Sequence, residues 1–298
     1  MTTTAPLVWV DGTWSYQALI PAFSHAVNYG LSVFDSVRLY QTPRGPAFFR
    51  LDDHVRRLFG ALAFAGFSCR FSPSQIRKAC VDVVRKNELQ SGYLRINGFL
   101  PQEELRVFPL FRIASIGINA QPLDYAGVPF DQGLSCQLTN IRKSPSATIP
   151  AGIKFSANYL PAYLALKNAR SKGFDEAILL DSRGFVAEAT AQNLFVSKFG
   201  ALFTPSTRSE ILPGIMRDSI MALARDEDLD VREKDLTVQD VQAADEVFLT
   251  GTASEILPVT RIGRKKFPIG PLALLLKNTW EDVVKGQHVF SKKWLTYV

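Results

Sequence analysis

The sequence predicts a two-domain α+β protein. Its 298 residues exceed the length at which a single hydrophobic core usually keeps growing. The first third of the chain alternates strand patterns with helical periodicity, and the stretch NAQPLDYAGVPFDQG is then rich in turn-forming residues. We therefore expect an N-terminal α+β domain over residues 1–120, a linker over 121–133 and a C-terminal domain over 134–298.

The predicted N-terminal domain shows strand and helix signals in alternation. The first two strands meet at an Asp-Gly turn and the next two at a Pro-Arg-Gly turn. Both helices have apolar residues at helical spacing, and Ser72 is the predicted N-cap of the second. In chain order the elements are a hairpin in LVWVDGTWSY, two strands in SVFDSVRLYQTPRGPAFFR, helices in LDDHVRRLFGALAFAGF and SPSQIRKACVDVVRKNEL, and strands in GYLRINGFL and RVFPLFRIASIGI.

The predicted C-terminal domain holds a helix that is followed by several strands. Gly173 lies just after the first helix, where glycine favours a left-handed C-terminal cap. The elements in order are a helix in NYLPAYLALKNARSKG, strands in AILLDSRGFVAEATAQNLFVSKFGALFTPS, a turn and helix in LPGIMRDSIMALARDEDL, a strand in DEVFLTGTASEILPV and a helix in GPLALLLKNTWEDVVKG.

Composition and charge argue against several classes of protein. The net charge of +6 comes from scattered basic residues without interleaved aromatics, which does not favour a nucleic-acid surface. The three cysteines form no C-x-x-C pair and the three histidines show no metal-ligand spacing, so we expect neither a disulfide framework nor a metal site. No apolar run is long enough to span a bilayer, and the N-terminus lacks a signal-peptide pattern. We expect a reduced, cytoplasmic protein that binds neither membrane nor nucleic acid.

Lys154 lies in an unusual sequence environment. In AGIKFSANYL it stands between Ile153 and Phe155, after a Pro-Ala-Gly break and before an apolar helical run. Two interpretations are open. The lysine stem covers apolar surface while its ammonium reaches solvent, or the amine is desolvated with a lowered pKa, as in lysines that form Schiff bases.

Glu188 is the second unusual residue. It lies in GFVAEATAQNLF on a predicted buried strand, and a buried carboxylate is costly unless a cation meets it. Taken alone, this pattern is also that of a structural salt bridge.

Three further features are candidate anion sites. LPGIMRD places a glycine turn before a helix, whose first backbone N–H groups are free to face an anion. LTGTASE ends a strand at Thr250, Gly251 and Thr252, which can form an anion-binding nest. Arg50 closes the strand PAFFR and is a third phosphate candidate.

These features together fit one cofactor. Pyridoxal 5′-phosphate needs a lysine for its aldehyde, a carboxylate for its pyridinium nitrogen and donors for its phosphate. The chain offers a candidate for each of these needs, and their co-occurrence indicates this cofactor.

Six segments carry a resemblance to a known family, in that family's order and spacing along nearly the whole chain. They are HAVNYGLSVFDSVRLY, FFRLDDHVRRLF, KFSANYLPAYLA, DSRGFVAEATAQNLF, ILPGIMRDSI and ADEVFLTGTASEILPV. With them the sequence resembles the fold-type IV pyridoxal-phosphate enzymes, most nearly the branched-chain amino acid aminotransferases. The resemblance implies a fold like that of D-amino acid aminotransferase, with a smaller N-terminal α/β domain and a larger C-terminal domain with a β-barrel-like core.

The resemblance also implies roles around the cofactor. Lys154 would be the catalytic Schiff-base lysine and proton shuttle, and Glu188 would pair with the pyridine nitrogen. Tyr159 would lie near the phenolic oxygen of the cofactor. The phosphate would be held by Arg50, the backbone of Ile215 and Met216, and Thr252.

Further residues would contact the substrate. The resemblance implies that Thr252 and Ala253 offer backbone N–H groups to its α-carboxylate, and that Arg95 and Tyr125 help bind the distal carboxylate of glutamate and 2-oxoglutarate. The residues that shape the side-chain pocket would be Tyr29, Phe34, Arg38, Arg95 and Tyr125. Of these, Tyr29 and Phe34 would reach across a homodimer with shared active sites, and a higher oligomer stays open.

The sequence departs from the family pattern at several positions. Met216 stands where the family usually has Thr, Asp35-Ser36 replace Glu-Gly, and Gln192 replaces a common Glu. The segment NGFLPQEELRVFP replaces a Gly-rich loop that covers the substrate. Because of this replacement the sequence does not determine which substrate is bound, whereas the expected cofactor chemistry is unaffected.

The sequence therefore predicts a PLP-dependent aminotransferase. We expect it to move an amino group between a branched-chain or other apolar L-amino acid and a 2-oxo acid such as 2-oxoglutarate. The alternatives are a D-amino acid or (R)-amine transaminase, a specialised transaminase of a biosynthetic pathway, and a lyase of the aminodeoxychorismate type.

Overall fold

The chain divides into two compact units. A computed structural model describes residues 6–123 and 128–298. Unit 1 contains the residues up to 124 together with 153–157 and 283–298, and unit 2 contains 125–152 and 158–282. The domain boundaries expected from the sequence stay a prediction.

Unit 1 begins with strands and helices that follow the predicted order. The Asp-Gly hairpin, the Pro-Arg-Gly hairpin and both long helices are confirmed. The strands are β1 (Val8–Val10), β2 (Thr13–Ser15), β3 (Ser32–Thr42), β4 (Gly45–Phe49), β5 (Ser68–Cys69), β6 (Gly92–Phe99) and β7 (Ile113–Gln121). The helices are α1 (His25–Tyr29), α2 (Leu51–Phe64) and α3 (Pro73–Lys86).

Unit 2 carries the remaining strands apart from the last one. The strands are β8 (Leu134–Arg142), β9 (Glu176–Leu180), β10 (Val186–Ala189), β11 (Asn193–Lys198), β12 (Ala201–Pro205), β13 (Val231–Lys234), β14 (Glu246–Gly251), β15 (Glu255–Ile262) and β16 (Lys265–Lys266). The helices are α4 (Leu160–Ser171), α5 (Ile215–Asp226), α6 (Val238–Gln242) and α7 (Pro271–Val284), the last of which runs two residues into unit 1. Short 3₁₀ turns span Ser156–Tyr159 and Thr207–Ser209. The chain then adds α8 (Ser291–Trp294) and β17 (Leu295–Tyr297) to unit 1.

Two strand predictions were wrong in part. The segment RVFPLF does not continue β7, which begins only at Ile113. Pro109 has no N–H group to offer a neighbouring strand, so a paired strand is disfavoured there. The stretch DEVFLTGTASEILPV is a hairpin of β14 and β15, because the chain turns between Gly251 and Glu255.

Local sequence signals explain the ends of two helices. The Ser72 hydroxyl accepts a hydrogen bond from the Gln75 N–H at 3.3 Å, and the Gln75 side chain accepts one from the Ser72 N–H at 2.8 Å. This capping box and Pro73 at the first helical position start α3. After α4, Gly173 takes a φ of +78°, which glycine adopts without steric cost.

Within the described residues, unit 1 is built on an eight-stranded sheet. The strand order is β17-β4-β3-β6-β7-β1-β2, with β5 beside β7. Helices α2 and α3 cover one face, where side chains such as Val37, Leu94 and Ile116 are fully buried. The opposite face of β3 and β6 carries polar and aromatic side chains instead, since successive residues of a strand point to opposite faces.

The described part of unit 2 contains a closed six-stranded barrel. Its strands follow the order β10-β9-β8-β15-β14-β11, and a pairing of β10 with β11 closes it. Leu194, Leu249 and Val259 are among the fully buried residues of its core. The closing pair joins Glu188 to Asn193. The α+β fold class and the barrel-like core are thus confirmed.

None of the described helices is both long and apolar enough to cross a membrane. In residues 6–123 and 128–298, no three His, Cys, Asp or Glu side chains are grouped so that they could hold a metal ion.

Candidate active site

The edge of strand β3 holds the backbone of Lys154. Strand β4 pairs only with the second half of β3, from Leu39 onward. Residues 153–156 lie along the first half. Val33 and Phe155 form an isolated β-bridge, and the Phe34 N–H donates to the Lys154 carbonyl at 3.2 Å. The Ser32 hydroxyl also donates to that of Ser156 at 2.7 Å. The backbone position of the lysine is therefore fixed by the sheet.

The neighbours of Lys154 explain its apolar sequence environment. Ile153 and Phe155 pack against the core of unit 1. Because side chains alternate along extended backbone, Lys154 points away from that core. Its Nζ lies 4.8 Å from the centre of the Phe34 ring, within the range of a cation–π contact.

A buried ionic network lies behind this lysine, between β3 and α2. The Asp35 carboxylate is fully buried and accepts from Arg57 Nε at 2.7 Å and Nη2 at 2.8 Å, and from His54 Nδ1 at 2.7 Å. Burial alone would raise the pKa of Asp35, but Arg57 and His54 outweigh it and hold the pKa below its usual value. Burial lowers the pKa of His54, Asp35 opposes this, and the charges of Arg57 and Lys154 lower it further.

Sequence reasoning did not single out this network. Asp35 follows Phe34 on a strand with an otherwise apolar buried face, and His54 and Arg57 are one helical turn apart. A buried aspartate needs a cation beside it, so Asp35 was the sequence signal that could have pointed to Arg57 and His54 on the next helix.

The open face of the unit 1 sheet brings three predicted pocket residues together. Phe34 and Arg38 lie on the same face of β3, and Arg95 lies opposite Ser36 on β6. The Arg95 guanidinium is 4.7 Å from the Phe34 ring centre, whereas Arg38 stacks on Tyr40 at 5.3 Å. Arg95 is exposed and Arg38 is half-buried, which leaves both guanidinium groups at the rim of an apolar surface.

A cavity of about 340 Å³ opens on the same face. Apolar side chains such as Leu19, Ile20 and Phe99 line it together with Asn97 and Asn119. The Asn119 Oδ1 atom is buried and has no hydrogen-bond partner in the described residues.

Tyr29 and Arg50 have local contacts that fix their positions. Tyr29 ends α1, and its hydroxyl donates to the Leu105 carbonyl at 2.8 Å. Arg50 stands before α2 with a φ of 51°, and its Nε donates to Asp53 at 2.6 Å. Its guanidinium lies 5.6 Å from the Trp294 ring centre. The predicted pocket residue Tyr125 lies outside the described residues.

Glu188 lies where the barrel of unit 2 closes, and only 6% of it is exposed. Its Oε1 accepts from Lys143 Nζ at 2.5 Å, and its Oε2 accepts from Asn193 Nδ2 at 2.9 Å. The Leu212 N–H donates to the same carboxylate at 3.1 Å. Lys143 is thus the cation that a buried glutamate requires. The sequence reasoning missed it, although NIRKSP ends a strand with two adjacent basic residues.

The helix α5 and the turn after β14 form a candidate phosphate cradle in unit 2. Ile215 and Met216 are the first residues of α5, whose opening N–H groups have no acceptor within a helix. The Met216 side chain is 3% exposed and packs inward, so the residue can face an anion only through its backbone.

Gly214 and Gly251 lie beside this cradle at positions where a side chain would clash with neighbouring atoms. A Cβ at Gly214 would lie 2.0 Å from Asn193 Oδ1, and one at Gly251 would lie 2.9 Å from Ser254 Oγ. The buried hydroxyls of Thr250 and Ser254 have no hydrogen-bond partner within residues 6–123 and 128–298. Thr252 and Ala253, both half-buried, occupy the turn itself, and Tyr159 ends the 3₁₀ turn before α4. Unpaired hydroxyls and helix-start N–H groups suit a phosphate, so the residues fit a phosphorylated cofactor.

Comparison with known proteins decides the family. The model of the amino-transferase class IV family matches residues 32–262. The chain belongs to the class IV aminotransferases. This class IV aminotransferase is 34% identical to the branched-chain-amino-acid aminotransferase of Escherichia coli (strain K12), over 100% of its own chain and 99% of that relative. It is 32% identical to the corresponding enzyme of Pseudomonas aeruginosa, covering 98% and 97% of the two chains.

Solved structures show the same likeness in three dimensions. This aminotransferase matches the branched-chain aminotransferase of Thermoproteus uzoniensis with norvaline at a TM-score of 0.94 and 30% identity, over 98% of both chains. It matches the T.th. branched-chain amino acid aminotransferase complexed with N-(5′-phosphopyridoxyl)-L-glutamate at a TM-score of 0.93 and 33% identity, again over 98% of both chains.

Proposed function

We propose that this class IV aminotransferase uses pyridoxal 5′-phosphate to move an amino group between an apolar L-amino acid of the branched-chain type and 2-oxoglutarate. The family match over residues 32–262 carries the cofactor assignment. The buried carboxylate of Glu188, whose oxygens are held by Lys143, Asn193 and Leu212, is the candidate partner of the pyridine nitrogen. A carboxylate fixed in this way can keep a pyridine nitrogen protonated. The complexes of the T.th. and Thermoproteus uzoniensis relatives support the choice of cofactor and substrate.

Different residues would serve the aldehyde, the ring and the phosphate of the cofactor. When bound, the cofactor supplies an aldehyde for the amino group and a ring that withdraws electrons. Lys154 Nζ would attach the cofactor and serve as the proton acceptor and donor at the substrate Cα. Glu188 would pair with the pyridine nitrogen, and Tyr159 would lie near the phenolic oxygen. The phosphate would be held by Arg50, by the backbone of Ile215 and Met216, and by Thr252.

The contacts of the sheet face support a substrate site that takes two kinds of side chain. Phe34 and the predicted residue Tyr29 give apolar surface, while Arg95 stacks on Phe34 with its charge exposed. A rim arginine can pair with the distal carboxylate of glutamate without being buried unpaired when an apolar side chain is present. Thr252 and Ala253 bind the α-carboxylate through backbone N–H groups.

We also propose that the enzyme is a cytoplasmic homodimer whose copies share active sites. Large apolar side chains are exposed near the predicted substrate residues of unit 1, among them Leu19 at 80%, Phe23 at 70%, Leu105 at 92% and Phe108 at 72%. A surface of this kind is typical of a protein–protein contact. Sedimentation should give about twice the mass of one chain, and Phe23→Glu together with Phe108→Glu should shift it toward the monomer. A stable wild-type monomer would contradict the dimer.

The cofactor assignment is tested by borohydride reduction and peptide mapping. Reduction makes the cofactor–lysine bond permanent, and the pyridoxyl group should be found on Lys154. Lys167 and Lys198 are internal controls and should stay unmodified. A pyridoxyl group on either of them would overturn the assignment.

The substrate is tested with a panel of amino donors. L-Leu, L-Ile, L-Val and L-Glu should each bleach the visible band of the bound cofactor, and Arg95→Ala should weaken glutamate much more than leucine. If only a D-amino acid or an (R)-amine bleaches the band, the branched-chain assignment is wrong. If glutamate alone among the four reacts, the second substrate is a different amine.

A further inference from the structure

His25 has an unusual hydrogen-bond environment for a histidine. It begins α1 in unit 1 and is fully buried. Its Nδ1 lies 2.7 Å from the Gln102 carbonyl oxygen, and its Nε2 lies 2.8 Å from the Arg106 carbonyl oxygen. Both ring nitrogens therefore face groups that can only accept a hydrogen bond.

The chemistry of the ring restricts its protonation state. A neutral imidazole has one N–H donor and one lone pair, whereas the imidazolium has two N–H donors. A neutral ring at this position would place its lone pair against a carbonyl lone pair. We infer that His25 is an imidazolium and a positioning residue, which joins α1 to residues 100–106 by donating to two carbonyl groups of that loop.

Other hydrogen bonds also connect α1 to the 100–106 loop. The backbone N–H groups of His25 and Ala26 donate to the carbonyls of Gln102 and Leu100, at 2.8 and 3.1 Å. The Tyr29 hydroxyl donates to the Leu105 carbonyl. These bonds attach both ends of α1 to the loop, and the two contacts of the His25 ring add to them.

The inference deepens the proposed function and rests on it for its effect on substrate. Tyr29 is a predicted pocket residue, and Ala26 lines the cavity on the sheet face. Without the two contacts of the His25 ring the loop is held less firmly. We expect His25→Gln to raise the KM for the amino donor while kcat changes little.

The charged side chains of the 100–106 loop are Glu103, Glu104 and Arg106. The ring centre of Tyr29, on α1, lies 5.3 Å from that of His25. On the loop, the charge of Arg106 opposes an imidazolium, but Glu104 pairs with that arginine at 3.1 Å and offsets it. The geometry therefore does not place an uncompensated cation against the ring.

The other two histidines, His54 and His288, can be compared with His25 in the same protein. His54 donates from Nδ1 to Asp35, and its buried Nε2 has no partner in the part of the chain that the structure describes. Its ring is therefore expected to be neutral. The Nδ1 of His288 accepts from the Phe290 N–H at 3.3 Å, which also requires a lone pair. Thus we expect one doubly protonated ring and two neutral rings.

The direct test is NMR of the holoenzyme labelled with ¹⁵N-histidine, at pH 7. One ring should show two protonated nitrogens whose hydrogens exchange slowly with water, and the His288→Gln variant should retain that signal. The signal of His25 is expected to persist when substrate is absent, so the result does not depend on activity. Three rings that each show an unprotonated nitrogen at pH 7 would overturn the inference, whatever the reaction of the enzyme proves to be.

The second test measures the loop itself. In His25→Gln the loop should exchange about tenfold faster at pH 6, because a bond from a charged donor is lost. His288→Gln is the matched control and should behave as wild type. Exchange that is equal in His25→Gln and wild type at pH 6 would contradict the positioning role, as would a KM for L-leucine that is unchanged in His25→Gln.

Discussion

Ser36 and Ser115 are two nearly buried serines of the same sheet with opposite hydrogen-bond environments. The Ser36 hydroxyl, in a residue 3% exposed, has no partner among residues 6–123 and 128–298. The Ser115 hydroxyl donates to Asp11 at 2.5 Å. A buried polar group without a partner costs about 1–3 kcal/mol, so the two side chains have opposite effects on stability.

We predict that Ser36→Ala raises the free energy of unfolding by about 1 kcal/mol, because the unpaired hydroxyl is removed. Ser115→Ala, the matched control on β7, should lower it by about 1.5 kcal/mol through the loss of a bond to a carboxylate. Urea unfolding of the cofactor-free protein measures both. If both variants are destabilised equally, the Ser36 hydroxyl is bonded in the folded protein. Ser36 also lies opposite Arg95, so a loss of glutamate turnover in Ser36→Ala would indicate that the hydroxyl pairs with substrate.

A second prediction concerns His54 and acid. Its pKa is lowered in the folded protein, so between the folded value and the unfolded value of about 6.5 the unfolded chain binds more protons. Its contribution to stability is therefore complete above pH 6.5 and is lost as the pH falls. Asp35, whose pKa is also lowered, acts the same way only below about pH 4.

The measurement is the unfolding free energy of wild type and His54→Gln between pH 7.5 and 5. The wild type should lose more stability than the variant over this range. Parallel curves for the two proteins would show that His54 is not held neutral.

At the scale of elements, helix α3 tests how far local signals determine structure. The capping box of Ser72 and Gln75 gives hydrogen-bond acceptors to two backbone N–H groups at the start of the helix, those of Gln75 and Ser72. Ser72→Ala should lower the unfolding free energy by about 1 kcal/mol, measured by urea unfolding. Ser91→Ala, at an exposed serine beyond the end of α3, is the control and should change it by less than half as much. An equal loss in both variants would mean that the cap does not stabilise α3.

The same contrast shows what the sequence can predict. The two hairpins and α3 depend on residues that are neighbours in the chain, such as Asp11-Gly12 and Ser72 with Gln75, so their patterns were sufficient. RVFPLF was wrong because its apolar residues suggested a strand, while Pro109 and the contacts of His25 hold the segment in an irregular form.

Sequence reasoning could point to candidate site residues only where their neighbours in the chain carried the signal. The family segments pointed to Lys154 and Glu188 by their sequence neighbours. Lys143, Arg57 and His54 were missed because their partners are 45, 22 and 19 residues away in the chain. A pattern in one segment does not reveal which cation will meet a buried carboxylate once the fold has formed.

At the scale of the whole molecule, the closure of the barrel in unit 2 depends on charge. Glu188 and Asn193 face each other where β10 meets β11, and Lys143 neutralises the glutamate there. Removing one partner of a buried ion pair leaves an uncompensated charge, at a cost of about 3–5 kcal/mol when both are fully buried. Lys143 is 17% exposed, so the cost should be smaller.

We therefore predict that Lys143→Met lowers the free energy of unfolding by about 2 kcal/mol. Adding Glu188→Gln to Lys143→Met should restore part of this loss, because the unpaired charge is then absent. Urea unfolding of the four proteins in this double-mutant cycle gives the coupling energy. Additive effects would mean that Lys143 does not act through Glu188.

Unit 1 is assembled from three separate stretches of chain, and this has a consequence for synthesis. Strand β17 pairs with β4, and the Trp294 carbonyl accepts from the Arg50 N–H, so residues 283–298 complete the sheet that begins at Val8. A ribosome adds about 5–20 residues per second, so roughly ten seconds or more separate the first stretch from the last. All of unit 2 has been synthesised before the edge beside β4 can be covered. The nascent chain therefore carries an open sheet edge that invites pairing with other chains, and the backbone N–H of Arg50 finds its partner only after residue 294 has been made.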